Sequence, residues 1–190
     1  MADSASWRAS LVGVMGMSLL LMACGQPEAG QSPVSVNAST PVPSLSTSPS
    51  LNPRAVAERD ALAAYTGMIH AWVEAVAVSD PDAPALRQFA SGQALRRMVV
   101  ILYLARDAGR VGRGQPVTRP VVTAASPIDV PTEVTVTDCL DDSNWLEYKA
   151  STGELWDDIP GGRHDVTAVV KRSDSGWKVD SFVPRPVGTC

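Results

Sequence analysis

The sequence predicts an α+β domain in which N-terminal helices pack on a curved antiparallel sheet. Three features carry that expectation. Between Asn52 and Asp107 apolar residues recur at helical spacing, and after Gly114 they alternate singly with polar ones. The boundary between the two textures is the glycine-rich stretch "GRVGRGQPVTRP". Helices gathered ahead of strands indicate an α+β fold, because a regular alternation of the two would build a parallel sheet instead.

A chain of 190 residues has room for one domain with extensions, and 45% hydrophobic residues is too many for a wholly disordered protein. The net charge of −4 argues against a nucleic-acid partner, which needs a concentrated basic surface.

The N-terminus comes first. Ala9 to Ala23 is an apolar run, shorter than the roughly 20 residues a membrane span needs but suited to a secretory signal. It stops at Leu21-Met22-Ala23-Cys24, which resembles the lipobox of bacterial lipoproteins. That resemblance implies a signal peptide over 1–23 and a lipid on Cys24, which becomes the first mature residue. It also implies a partner, the cell membrane, reached through the lipid, with the domain on the extracytoplasmic side. Two or three acyl chains anchor stably where one does not. A simple secretory signal with another cleavage point is the alternative.

Residues 24–53 hold the cysteine and a segment dominated by Ser, Thr and Pro, without apolar periodicity. Such a composition cannot bury enough surface to offset its ordering entropy, so a disordered linker is expected. The α+β domain is expected over 54–190.

Asn52 can cap a helix, Pro53 suits its first position, and Asp80-Pro81 ends it. Leu62, Tyr65, Ile69, Trp72, Val73 and Val76 form its apolar stripe, with His70 off to one side. A short helix follows over Pro84 to Ala90, with Leu86 and Phe89 inward. A third runs from Gln93 to Asp107, with Leu95, Met98, Val99 and Leu102 on one face, and Gly109 stops it. Strands are expected at Pro120–Ala125, Glu133–Cys139, Trp145–Lys149, Asp165–Lys171 and Trp177–Val183, joined in chain order as an antiparallel meander. Turn signals separate them, among them Asp141-Asp142-Ser143-Asn144 and Ser173-Asp174-Ser175-Gly176.

Three helices, the glycine-rich lead into the sheet and the final "SGWKVDSFVP" strand resemble the nuclear-transport-factor-two-like, or cystatin-like, cone fold. More narrowly, the chain is similar to bacterial lipoproteins of that superfamily, with a Cys in a middle strand and a C-terminal "VGTC". The superfamily hosts enzymes, transport adaptors and inert domains, so the fold does not give the function.

With Cys24 assigned to lipid, Cys139 and Cys190 remain, an even pair in an exported chain where oxidation is the default. A structural disulfide between them would close a loop of about 50 residues and contribute roughly 4 kcal/mol in the chain-entropy account. Two free thiols or a redox site are the alternatives, and no CxxC spacing supports the latter.

The search for chemistry yields no catalytic residue, no metal site and no cofactor. No G-x-S-x-G occurs, and "GRVGRGQ" lacks the lysine and hydroxyl of a phosphate loop. His164 stands alone beside Asp165 without further zinc ligands. Asp138, Asp141 and Asp142 suit a hard cation in type, but their spacing is not that of a calcium loop, and an ordinary polar turn is the preferred reading. Arg96, Arg97, Arg106, Arg110 and Arg113 are read most simply as a solvated helix face, with contact to an anionic lipid or wall polymer as the alternative. The cone resemblance implies a cavity between the first helix and the sheet, where Tyr65, Trp72, Asp138, Trp145 and Tyr148 are the candidate lining. Asp138 with His70 is then the nearest analogue of an acid–base pair. Aromatics at helical spacing also serve as plain core.

The functional expectation is a cell-envelope lipoprotein with a non-catalytic binding or scaffolding domain, its partner an envelope protein or a small apolar ligand. The alternative is a secreted lyase- or isomerase-like enzyme using a carboxylate in the cavity.

Overall fold

The computed structural model describes residues 52–159 and 161–190. The expected signal peptide, Cys24 and the linker up to residue 51 lie outside the described residues.

Helix α1 (Pro53–Val78) begins as its sequence requires. Asn52 Oδ1 accepts from the Arg54 N–H at 3.0 Å, and Pro53 occupies the first turn. Ser79 closes the helix in a left-handed conformation (φ 51°), and its hydroxyl donates to the Arg110 carbonyl. The buried face is finer than the aromatic and aliphatic stripe suggests. Ala57, Ala61, Ala64, Met68, Ala71 and Ala75 form a spine spaced alternately four and three residues apart. Tyr65 and Ile69 are buried beside it, while Leu62, Trp72, Val73 and Val76 are half-buried flanks. Small side chains let the helix approach the sheet closely, and the larger ones wrap the contact. By length and composition α1 is apolar enough to cross a membrane, yet here it is the core helix, packed against α2 (Pro84–Phe89) and the sheet.

Helix α3 (Gly92–Ala108) buries Ala94, Met98, Leu102 and Ala105 and ends at Gly109, whose φ of 68° is costly for any residue with a Cβ. The strands are β1 (Arg110–Arg113), β2 (Val121–Ser126), β3 (Glu133–Asp141), β4 (Leu146–Lys149), β5 (Arg163–Ser173) and β6 (Gly176–Pro184). The α+β class holds, with helices packed on antiparallel sheets of four and two strands, but two expectations are corrected. The glycine-rich stretch contains a strand, since β1 pairs with β4 in register Val111↔Tyr148 and Gly112↔Glu147. The strands do not form a continuous meander either. β4 leaves the main sheet for β1, and β3 pairs directly with β5 in the order β2-β3-β5-β6. A four-residue strand with no alternation to bury has no claim on the centre of a sheet, whereas β3 and β5 match inward residues along their whole length.

Val134, Val136, Val166, Ala168, Val170 and Val179 line the inner face and are fully buried. Bulges in β2 at Val122/Ala124 and in β6 opposite Val169/Val170 reset the alternation. Val122 and Ala125, three apart, therefore both pack on the core, as do Val179 and Phe182. Each bulge also bends its strand, which curves the sheet around α1. The Ser91 N–H donates to the Val179 carbonyl at 2.8 Å, so the α2–α3 connection covers the outer edge of β6. The end of β3 is bonded to the C-terminus by a Cys139–Cys190 disulfide, Cα–Cα 5.9 Å.

Candidate functional site

The five candidate cavity residues separate into three places. Tyr65 and Asp138 meet in the core, where the phenol donates to Asp138 Oδ2 at 2.9 Å and the Arg119 N–H donates to Oδ1 at 2.6 Å. Both side chains are almost wholly buried. Burial holds the Asp138 carboxyl above its ordinary value, and the bonds from Arg119 and Tyr65 work against that rise. Burial, followed by the neighbouring carboxylate, pushes the Tyr65 phenol strongly upward. Two oxygens with two donors make a satisfied structural pair. The Asp138–His70 pairing does not form, because His70 faces solvent on the far side of α1. Tyr148 lies on β4 under the Arg113 guanidinium, 4.7 Å from the ring centre.

Trp72 and Trp145 do come together, edge to face, with ring centres 6.4 Å apart. They stand in a cleft between α1, α3 and the end of the sheet where β3 finishes and β5 begins. Two adjoining chambers share Trp72, Ile101, Asp142, Trp145 and His164 as walls. The smaller, about 190 Å³, is closed by Ile69, Met98, Leu140 and Phe182. The larger, about 340 Å³, extends toward β1 and β4, past Val76, Gly112, Leu146, Ile159 and Val187.

The polar part of the cleft joins segments distant in sequence. His164 Nε2 lies 3.2 Å from Asp142 Oδ2, and His164 Nδ1 lies 2.7 Å from the Arg185 carbonyl. Asp142 Oδ1 accepts from the Gly162 N–H at 2.6 Å. The C-terminal tail builds one side. Pro184 lines the smaller chamber and Val187 the larger, Gly188 N–H donates to the Arg163 carbonyl at 2.8 Å, and Thr189 Oγ1 accepts from the Asp165 N–H at 2.9 Å. Cys190 then locks the tail to Cys139, against whose sulfur the Arg163 guanidinium also rests.

The aspartates of the acidic group do separate work. Asp138 faces the core, Asp142 faces His164, and Asp141 is held below its ordinary value by hydrogen bonds from the Ser143 side chain and from the Ser143 N–H, the latter at 3.0 Å. Among the described residues no three metal-ligating side chains converge. The arginines divide as well. Arg110 pairs with Glu147 at 2.6 Å and stands over Trp156, while Arg96, Arg97 and Arg106 lie exposed on α3, Arg97 at the mouth of the smaller chamber.

Asp142–His164 and Arg97 as a cleft residue are what the linear sequence conceals. Asp142 and His164 are 22 positions apart and follow no motif. They become neighbours because β3 and β5 pair in a register that sets Leu140 opposite His164. That pairing is visible only once β4 is known to stand outside the sheet.

No family model matches the chain, and no curated protein does either. Two solved structures are similar over about two thirds of the chain. The crystal structure of the intermembrane-space region of the chloroplast protein ARC6 gives a TM-score of 0.41 at 14% identity, covering 67% of this chain and 95% of that one. A protein of unknown function with a cystatin-like fold, from Nostoc punctiforme, gives 0.41 at 9% identity, covering 67% and 92%. Likeness at this level bears on neither ligand nor activity, and the α+β architecture rests on the chain's own elements.

Proposed function

We propose that the chain is a cell-envelope lipoprotein, anchored through Cys24, whose cone-type domain binds a small apolar ligand outside the membrane without altering it chemically. The observation that carries the reading is the cleft. Its two chambers share walls, and its lining is predominantly apolar with few polar groups, the usual make-up of a small-molecule site; the larger lies within the common range of roughly 300–1,000 Å³. The anchor rests on the "LMAC" resemblance.

Catalysis finds less support. Asp138, the carboxylate that an isomerase or lyase reading needs, is sealed behind Tyr65 and Arg119 and does not line the cleft. His164 does line it, but both ring nitrogens already face acceptors within the protein, leaving none to exchange a proton with a substrate.

Cys24→Ser should move the protein out of the membrane fraction, and unchanged retention would remove the anchor from the proposal. The mature Cys24→Ser polypeptide, exported on a conventional secretory signal, should bind octanol saturably, followed by tryptophan fluorescence at Trp72 and Trp145. Ile101→Trp, which fills the wall between the chambers, should abolish that binding. Absence of saturable binding to the parent polypeptide overturns the ligand reading.

A further inference from the structure

We propose that the smaller chamber recognises an amphiphile with a carboxylate head, bound by Arg97, and an apolar body of about six to eight carbons, an inference that rests on the ligand-binding reading above. The size follows from the space. At about 30 Å³ per liquid water molecule, ≈ 190 Å³ holds the equivalent of about six waters, or a short chain or single ring. The walls of Ile69, Met98, Leu140 and Phe182 offer that body no hydrogen bond.

The head is decided by which polar groups on the wall are already engaged. Asp142 has one oxygen on the Gly162 N–H and the other on His164. His164 has its remaining nitrogen on the Arg185 carbonyl. These groups close on one another, so neither Asp142 nor His164 has an unengaged donor to offer a ligand head. Arg97 differs. It shares with Ala94, Met98 and Ile101 the face of α3 that walls the chamber, it is exposed, and it has neither an ion-pair nor a hydrogen-bond partner among the described residues.

A guanidinium at the rim of an apolar hole disfavours a cationic head and suits an anionic one. Its planar fork matches the two oxygens of a carboxylate. The larger chamber carries Asp157 on its wall besides the Arg110-paired Glu147, has no arginine or lysine in its lining, and is the poorer place for an anion. Arg96, next in sequence and also exposed, does not line the chamber and therefore serves as a control of equal charge.

Calorimetric titration of the mature Cys24→Ser polypeptide with octanoate and with octanol, at low ionic strength, tests the assignment. Octanoate should bind about tenfold more tightly than octanol, the size expected of one charge-assisted hydrogen-bonded contact. Arg97→Gln should erase the difference by lowering octanoate affinity about tenfold, and Arg96→Gln should retain it. Equal affinities in the parent, or a preference for octanoate that survives Arg97→Gln, overturn the head-group assignment and leave ligand binding standing. Binding of neither compound overturns both.

Discussion

At the residue scale, Tyr65 and Asp138 show how a buried carboxylate is tolerated in an otherwise apolar core. Asp138 sits on β3 in phase with Val134, Val136 and Leu140, a position the alternation reserves for a hydrophobic side chain. Each of its oxygens has one donor, so the cost of burial falls on its charge and not on unmet hydrogen bonds. Because its folded value lies above its ordinary one, near 3.8, the group favours folding below that value. That contribution is lost as pH rises through the raised value. Tyr65→Phe removes a donor to the ionised form and should push the carboxyl higher still. The expected loss is about 1–3 kcal/mol near neutral pH, the cost of a buried group left short of a partner. In denaturant melts the loss should shrink as pH falls through the raised folded value, before the ordinary value near 3.8 is reached, as the folded carboxyl takes up its proton. A penalty independent of pH would show that Asp138 is not the group affected.

The spine of α1 illustrates the same point at the level of an element. Five of its six members are alanine, a residue that apolar-stripe reasoning weights lightly, so the close-packed line of the helix is less visible in the sequence than its bulky flanks. Ala61 is fully buried in the central cluster with Val134 and Val166. Ala61→Leu adds volume where neither helix nor sheet can yield, and should cost roughly 1–3 kcal/mol as overpacking. An unchanged melting temperature would mean that the helix stands farther from the sheet than this packing implies. The bulges in β2 and β6 belong to this scale too. Each converts a period of two into a step of three, which is how Phe182 reaches the core from a strand that also turns Trp177 and Val179 inward.

For the molecule as a whole, the disulfide joins two features that look separate in the sequence. It spans 51 residues, and the tail it pins supplies Val187, Pro184 and the Arg185 carbonyl to the cleft. Cys190→Ser should lower stability by roughly 2–4 kcal/mol, through release of the closed loop in the unfolded chain. It should also weaken octanol binding, because the tail is no longer held against Gly162 and His164. Thiol titration of the unfolded, unreduced wild-type domain should find neither Cys139 nor Cys190 reactive, and two titratable thiols there would refute the bridge. Stability lost with ligand affinity intact would instead separate the tail from the site.

The sequence by itself determined what depends on local chemistry. Asn52 and Pro53 start a helix, Gly109 stops one, and alternation in "DVTAVVK" makes a half-buried strand whatever lies around it. The expectation that Cys139 and Cys190 pair also came from residue count, taken with the export that the N-terminal stretch suggests. Only the tertiary structure decided what depends on which strands are neighbours. Alternation gives a strand its inner face but not its partner, so β4 reads as a member of the main sheet until its pairing with β1 is seen. His164 likewise reads as an isolated histidine until β3 and β5 stand side by side. A pair potential between residues 22 positions apart leaves no periodic trace in the chain. It arises from loop closure and core packing, which act on the whole sheet at once.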